Sequence, residues 1–236
     1  INRDNNLAAR EHLTATNPCG EVPLPPYGAC NLGSLNLVTF VIDPFEPSAR
    51  LDFDALDAAA RLAVRFLDDV LDVTTYPLPE QERVARATRR IGLGVTGLAD
   101  MLAMLGQRYD GWTARGVAED VMRRICLAAY ATSVDLAVER GAFPDFVPAE
   151  FLSGGFAGRL PAALQARIAR EGIRNSHLLA VAPAGTISLL AGNCSSGIEP
   201  LFARRATRRV LAGDGSAAVY SVEDLAWRLW QQEHPG

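Results

Sequence analysis

The chain has 236 residues, is 49% hydrophobic and carries a net charge of −4, enough length for one large domain or two small ones with a real core. Mild acidity gives a nucleic acid or a membrane surface nothing to hold, and no run of about 18 apolar residues is available to cross a bilayer. All 23 basic residues are arginine, which excludes a lysine-dependent P-loop.

The opening residues INRDNNLAAREH are polar, so no signal peptide is expected, and four cysteines are too few for a secreted disulfide scaffold. A reducing cytoplasm is the expected compartment. Residues 1–15 read as a helix end or a linker. Residues 16–34 are a loop punctuated by Pro18, Pro23, Pro25, Pro26 and Gly28. Residues 35–42 (LNLVTFVI) suit either a strand or a short helix.

From Phe53 to Val73 the spacing predicts a helix. Leu56, Ala59, Ala60, Ala63, Phe66, Leu67 and Val70 form its apolar stripe, with Asp57, Arg61, Arg65, Asp68 and Asp72 on the other face. Residues 80–90 read as a charged helix. RRIGLGVTGLADMLAMLG, residues 89–106, reads as a glycine-bearing turn into an apolar helix. Residues 113–140 form a long helix of about 40 Å, with Gly141 placed as a left-handed cap. A short helix is expected over 161–171. HLLAVAPAGTISLLAGNCSSGIEP, residues 177–200, has the texture of buried strands with tight turns. A last helix is expected over 222–232. The balance is α/β and helix-rich.

Two stretches carry chemistry. In TNPCGEVPLPPYGAC, Pro18 disfavours helix and pushes Asn17 toward an extended conformation. Alternation along an extended segment would point Asn17, Cys19 and Glu21 the same way, about 7 Å apart. A carboxylate beside a thiol raises the thiol pKa, which suits a nucleophile poorly and hydrogen-atom transfer better. The breakers that follow could fold Cys30 back toward Cys19. Alternatively each cysteine is a small buried hydrophobe, or the two belong to a zinc site, for which their spacing is a weak signal. In VAPAGTIS, residues 181–188, a small-residue turn exposes backbone N–H groups beside hydroxyls, which suits a phosphate cradle or simply a structural turn.

Together, NPCGEVPLPPYGACNLGSLNL, RRIGLGVTGLADMLAMLG and APAGTISLLAGNCSSGIEPLFA resemble, in that order, the catalytic subunit of ribonucleotide reductase. The NPCGE form resembles the adenosylcobalamin-dependent, class II enzymes. The resemblance covers essentially the whole chain. It implies half of a ten-stranded α/β barrel of the ribonucleotide reductase and glycyl radical enzyme type, with a finger loop near the N-terminus. Residues 1–236 would be a single partial catalytic domain, with the radical loop at 16–34 and the phosphate-loop region at 180–200.

The resemblance also assigns roles. Cys19 would carry the thiyl radical after adenosylcobalamin generates a deoxyadenosyl radical, and would abstract the ribose 3′-hydrogen. Glu21 would accept the 3′-hydroxyl proton, and Asn17 would hydrogen-bond the substrate. Cys30 would be one of two cysteines that end as a disulfide. Ala184, Gly185, Thr186, Ile187 and Ser188 would hold the substrate phosphates, with Ala184 standing where the family has threonine. No metal ligand is expected.

Implied partners are a ribonucleoside di- or triphosphate, an external thioredoxin-like dithiol and an N-terminal half of the catalytic chain that holds the partner of Cys30. The reading allows a homodimer, and the isolated chain is expected to be inactive. Two alternatives stand beside it. One is a non-enzymatic truncated module that binds or regulates a reductase; the other is a class I-type enzyme whose radical comes from a separate subunit. Cys126 and Cys194 read as structural. RRATRR, residues 204–209, reads as a solvated or interdomain face. His12, His177 and His234 lack metal-ligand spacing, and Trp227 and Trp230 read as packing.

Overall fold

The first fifty residues are rich in proline and asparagine. In the computed structural model they make two 3₁₀ turns, at Asn2–Asp4 and Leu37–Phe40, and short strands: β1 (Ala15–Thr16), β2 (Pro23–Leu24), β3 (Asn31–Asn36), β4 (Val41–Ile42) and β5 (Arg50–Leu51). The structure describes every residue except Ala212, Asp214 and Gly236. Next come α1 (Phe53–Val73), α2 (Pro79–Thr88), β6 (Ile91–Thr96), α3 (Leu98–Met104) and the long α4 (Trp112–Arg140). They are followed by α5 (Pro148–Leu152), α6 (Ala162–Glu171), α7 (Gly185–Leu190), β7 (Arg205–Leu211), β8 (Ala217–Glu223) and α8 (Leu225–Glu233). β1 pairs with β2, β4 with β5 and β7 with β8, each antiparallel, and β3 neighbours β6. Among the described residues no sheet closes, so the architecture is helix-rich α/β. No helix of the described residues is long and apolar enough to cross a membrane.

The chain forms two compact units, one from residues 1–33, 54–94 and 122–182, the other from 34–53, 95–121 and 183–236. In the first, α1 buries Leu56, Ala60, Val64, Leu67 and Leu71, a stripe at three- and four-residue spacing. Two residues depart from the expected faces. Phe66 is 65% exposed, and Asp68, expected on the polar face, is wholly buried. Asp68 accepts Arg89 Nε at 2.8 Å, Asn175 Nδ2 at 2.9 Å and Arg174 Nε at 3.2 Å. These donors offset the cost of burying a carboxylate, which is several kcal/mol for an unpaired ion. The neighbouring Asp69 and Asp72 are likewise paired, with Arg140 and Arg89. Arg89 itself sits at φ +45° as the C-cap of α2, and that left-handed step turns the helix into β6.

β6 corrects the expectation of a turn at 91–96: all six of its residues are buried. Leu93 bridges Leu179 in parallel, with Leu93 N–H donating to Leu178 O at 2.7 Å and Ala180 N–H to Leu93 O at 3.1 Å. Its two glycines are demanded by that close neighbour. A Cβ on Gly94 would lie 2.2 Å from Ala180 O, and one on Gly92 would lie 2.8 Å from Ala180 Cβ and 2.5 Å from Leu32 Cδ2.

In the second unit, residues 35–42 divide between the end of β3, a 3₁₀ turn (Leu37–Phe40) and β4. Within 177–200, expected to be buried strands with tight turns, Gly185–Leu190 are instead the short helix α7, and the last helix starts at Leu225 because β8 runs to Glu223. RRATRR lies mostly on β7, whose side chains are largely exposed, with Arg205 paired to Glu223. Trp227 and Trp230 stack at 5.2 Å, Arg204 lies 4.7 Å above the Trp227 ring, and they line a cavity of about 400 Å³.

Gly94→Ala forces a methyl against a backbone carbonyl that no rotamer change can move. It is expected to destabilise the first unit by about 2–3 kcal/mol or more in urea unfolding. Gly116→Ala, in α4 with nothing within 4 Å of the new methyl, is expected to be neutral or to stabilise by up to about 1 kcal/mol.

Candidate functional site

In the first unit, Asn17 through Val22 close the β1–β2 hairpin. Asn17 N–H donates to Val22 O at 3.2 Å, Val22 N–H to Asn17 Oδ1 at 3.0 Å and Gly20 N–H to Asn17 O at 3.0 Å. The local sequence dictates this. Asn at the first position, Pro at the second and a glycine in the left-handed region are the residues such a turn selects. Gly20 has φ +84°, while Cys19 is not among the positive-φ residues. The expected extended edge is therefore corrected: Asn17, Cys19 and Glu21 lie on a tight turn, because the Asn17 carbonyl and side-chain oxygen both bond within it.

That turn presents Cys19 at its tip, exposed to solvent. A Cβ on Gly20 would meet nothing within 4 Å, so the space beside Gly20 is open. Glu21 is half-buried, and its Oε2 is shut away from solvent without a hydrogen-bond partner. An orphaned carboxylate oxygen costs free energy unless a donor is supplied from outside.

A second turn folds the chain after the hairpin. Gly28 N–H donates to Pro25 O at 2.9 Å, with Tyr27 at φ +60°. Gly28 is needed there, since a Cβ would sit 2.8 Å from Pro25 Cδ. The turn leads into Cys30, whose Sγ lies 3.4 Å from the position a Cβ on Gly92 would take. Burial pushes the Cys30 thiol up to about 12; the nearby Glu21 charge adds to the rise and Arg90 opposes it.

Arg90 is only 2% exposed and pairs with Glu11. Its Nε donates to His177 Nδ1 at 3.2 Å. Since a guanidinium can only donate, Nδ1 is the acceptor, and His177 is neutral with its proton on Nε2, 2.9 Å from Asn5 Oδ1. Burial and the Arg90 charge hold this histidine well below the usual imidazole range. Sequence reasoning missed Arg90 and Glu11. The one available signal was a pair of adjacent arginines before an apolar run.

In the second unit, Ala184 at φ +57° caps α7, a conformation unusual for a residue with a Cβ. Gly185, Thr186 and Ile187 are exposed. Ser188 is buried and its hydroxyl is turned inward, donating to Gly185 O at 2.9 Å and lying 3.2 Å from Ser196 Oγ. Behind them, Ser195 Oγ accepts Ala99 N–H at 3.1 Å at the start of α3, and Asp100 accepts Ser195 N–H in return. This is a capping box assembled from two distant segments. Cys194 is buried, and Cys126 is partly buried with its thiol pushed up to about 11 by burial alone.

A family model described as the ribonucleotide reductase barrel domain matches residues 1–234. Over 89% of its length the chain is 50% identical to the vitamin B12-dependent ribonucleoside-diphosphate reductase of Mycobacterium tuberculosis (strain CDC 1551 / Oshkosh), covering 27% of that protein. It is 43% identical to the protein of that name from Thermoplasma acidophilum, over 90% of this chain and 25% of the relative. A ribonucleoside-diphosphate reductase large chain from Encephalitozoon cuniculi is 32% identical over 97% of this chain and 32% of its own length. The chain thus spans a quarter to a third of these relatives.

The exposed Cys19 and the partly buried Cys30 are expected to separate in a timed alkylation. With iodoacetamide at pH 8, peptide mass spectrometry should find Cys19 modified at least about tenfold faster than Cys30. Equal rates would contradict the burial of Cys30.

Proposed function

The chain belongs to the ribonucleotide reductase barrel-domain family, and from that membership we propose that it supplies the radical and phosphate loops of an adenosylcobalamin-dependent reductase. The reaction is the reduction of ribonucleoside diphosphates to deoxyribonucleotides, the substrate class in the names of its B12-dependent relatives. The observation that carries the reading is the Asn17–Val22 turn, with an exposed thiol at its tip and an unpartnered carboxylate oxygen on Glu21.

The open space beside Gly20 and the exposure of Cys19 fit a bulky group reaching the thiol from solvent. Adenosylcobalamin, when bound, would supply the one-electron chemistry that accepts a single hydrogen atom. Cys19 is the residue that gives up that atom and, as a thiyl radical, removes the ribose 3′-hydrogen. The free oxygen of Glu21 takes the 3′-hydroxyl proton. Asn17 uses its oxygen to hold the turn, which leaves its amide nitrogen to donate to the substrate.

Replacing the 2′-hydroxyl by hydrogen, with loss of water, takes two electrons and two protons. Two thiols supply them and become a disulfide, and Cys30 is one of the two. Its raised pKa keeps the sulfur protonated, the form that a hydrogen donor needs. Re-reduction falls to an external dithiol protein of the thioredoxin type in the cytoplasm. Gly185 and Thr186, exposed on the turn into α7, hold the phosphates.

The test is nucleotide reduction by the full-length product of the frame that encodes this segment, supplied with ADP or CDP, adenosylcobalamin and a dithiol. Cys19→Ser is expected to lower turnover at least about 10³-fold, and Glu21→Gln about 10²–10⁴-fold. The 236-residue chain alone is expected to give no product. Wild-type rates in the Cys19→Ser protein would sink the assignment.

A further inference from the structure

The second unit contains a buried acid pair that the reaction described above does not use. Asp100, in the first turn of α3, is wholly buried. Its Oδ2 accepts Ser195 N–H, and its Oδ1 accepts Ala226 N–H at 3.0 Å from the first turn of α8. Asp224, 5% exposed, is the N-cap of the same helix and accepts Trp227 N–H at 3.0 Å. The two carboxyl groups therefore converge on one helix start, both shut away from solvent.

The pair is linked to the turn into α7 through a continuous set of contacts. Ser195, gripped by Asp100, accepts the Thr96 hydroxyl on its backbone carbonyl at 2.9 Å. Ser196, the next residue, lies 3.2 Å from Ser188 Oγ, and Cys194 Sγ lies 3.9 Å from Ser188 O. Ser188 in turn holds Gly185 O. We propose that Asp100 is a positioning residue for the 184–188 turn, and that Asp224, converging with it on the start of α8, holds it in place. The inference rests on the reading of this turn as the phosphate loop, and it adds a regulation of that loop by pH.

The groups around Asp224 decide the direction. Asp100 faces it from α3, Cys194 from the 192–197 loop and Arg204 from the segment before β7, while Arg228 follows it on α8. Burial is the largest cause and the Asp100 charge adds to it, holding Asp224 up at about 7. The folded-state value is thus above the unfolded one. The stability that this hold contributes is complete in acid and is lost as pH rises through about 7. Above that, two adjacent anions repel, and Ser195 and the turn behind it loosen.

The experiment follows backbone amides of the chain by two-dimensional NMR from pH 5.5 to 8.5, in wild type and in Asp224→Asn. Asparagine keeps the N-cap oxygen but does not titrate. The expected result is one shared midpoint near 7 at residues 185–188 and 194–197, absent in Asp224→Asn. ADP, added to the same samples, is expected to bind wild type about fivefold more weakly at pH 8 than at pH 6. Asp224→Asn should remove the part of that change that the ionisation of ADP itself does not cause. A midpoint confined to 194–197, with 185–188 unmoved, overturns the positioning role. So does a wild-type midpoint that persists unchanged in Asp224→Asn. Shared movement without ADP binding at either pH supports the positioning role and counts against the phosphate-loop reading, so the two failures are distinguishable.

Discussion

The Asp68 carboxylate, wholly removed from water, organises the first unit. It gathers Arg89 from the end of α2 and Arg174 and Asn175 from the segment that runs beside β6. Removing the acid would leave Arg89 buried and half-paired, the costlier half of breaking a buried ion pair. With Arg89 fixed, Arg90 follows into the interior and meets Glu11 and His177. β6 then begins in a defined register, and Gly92 faces Cys30. A helix residue twelve positions after Leu56 thereby controls the setting of a thiol near the start of the chain. The guanidinium forks suit this task. Arg89 bonds Asp68, Asp72 and the Asp68 carbonyl together, which a lysine point charge could not do in one plane.

The second unit solves the same problem differently. Asp100 is as deeply buried as Asp68, yet the partners holding its oxygens are backbone N–H groups, one of them in the first turn of α8. Helix starts carry partial positive charge, so a carboxylate among them is stabilised without a cation. An anion held this way has no permanent counter-charge. It is more responsive to a second negative group than one surrounded by arginines.

Much of this was legible in the sequence. Periodicity placed α1 at 53–73 and α4 within one residue of its start, because long amphipathic spacing survives without tertiary information. The motifs pointed to the family. What escaped has physical causes. The period of β6 is hidden by Gly92 and Gly94, which hold their places through what packs on them rather than through propensity. The Asn17–Val22 turn depends on a side-chain oxygen competing with the backbone ladder, which alternation alone does not reveal. Asp68 and Asp100 look like ordinary polar residues on helices, since their partners lie many residues away. The role of Cys19 and its neighbours rests on chemistry that the turn permits and the family suggests.

The glycines of β6 also act as a check on folding. A strand of alternating small and large residues has a natural error, a slip of one residue along its neighbour. Here a slip would drive the Leu93 or Val95 side chain into the place where Ala180 O lies 2.2 Å from the missing Gly94 Cβ. The wrong alignment is refused by backbone sterics before any side chain can compensate. The first unit therefore reaches one register or none, and the thiol that Gly92 faces is delivered to a single address.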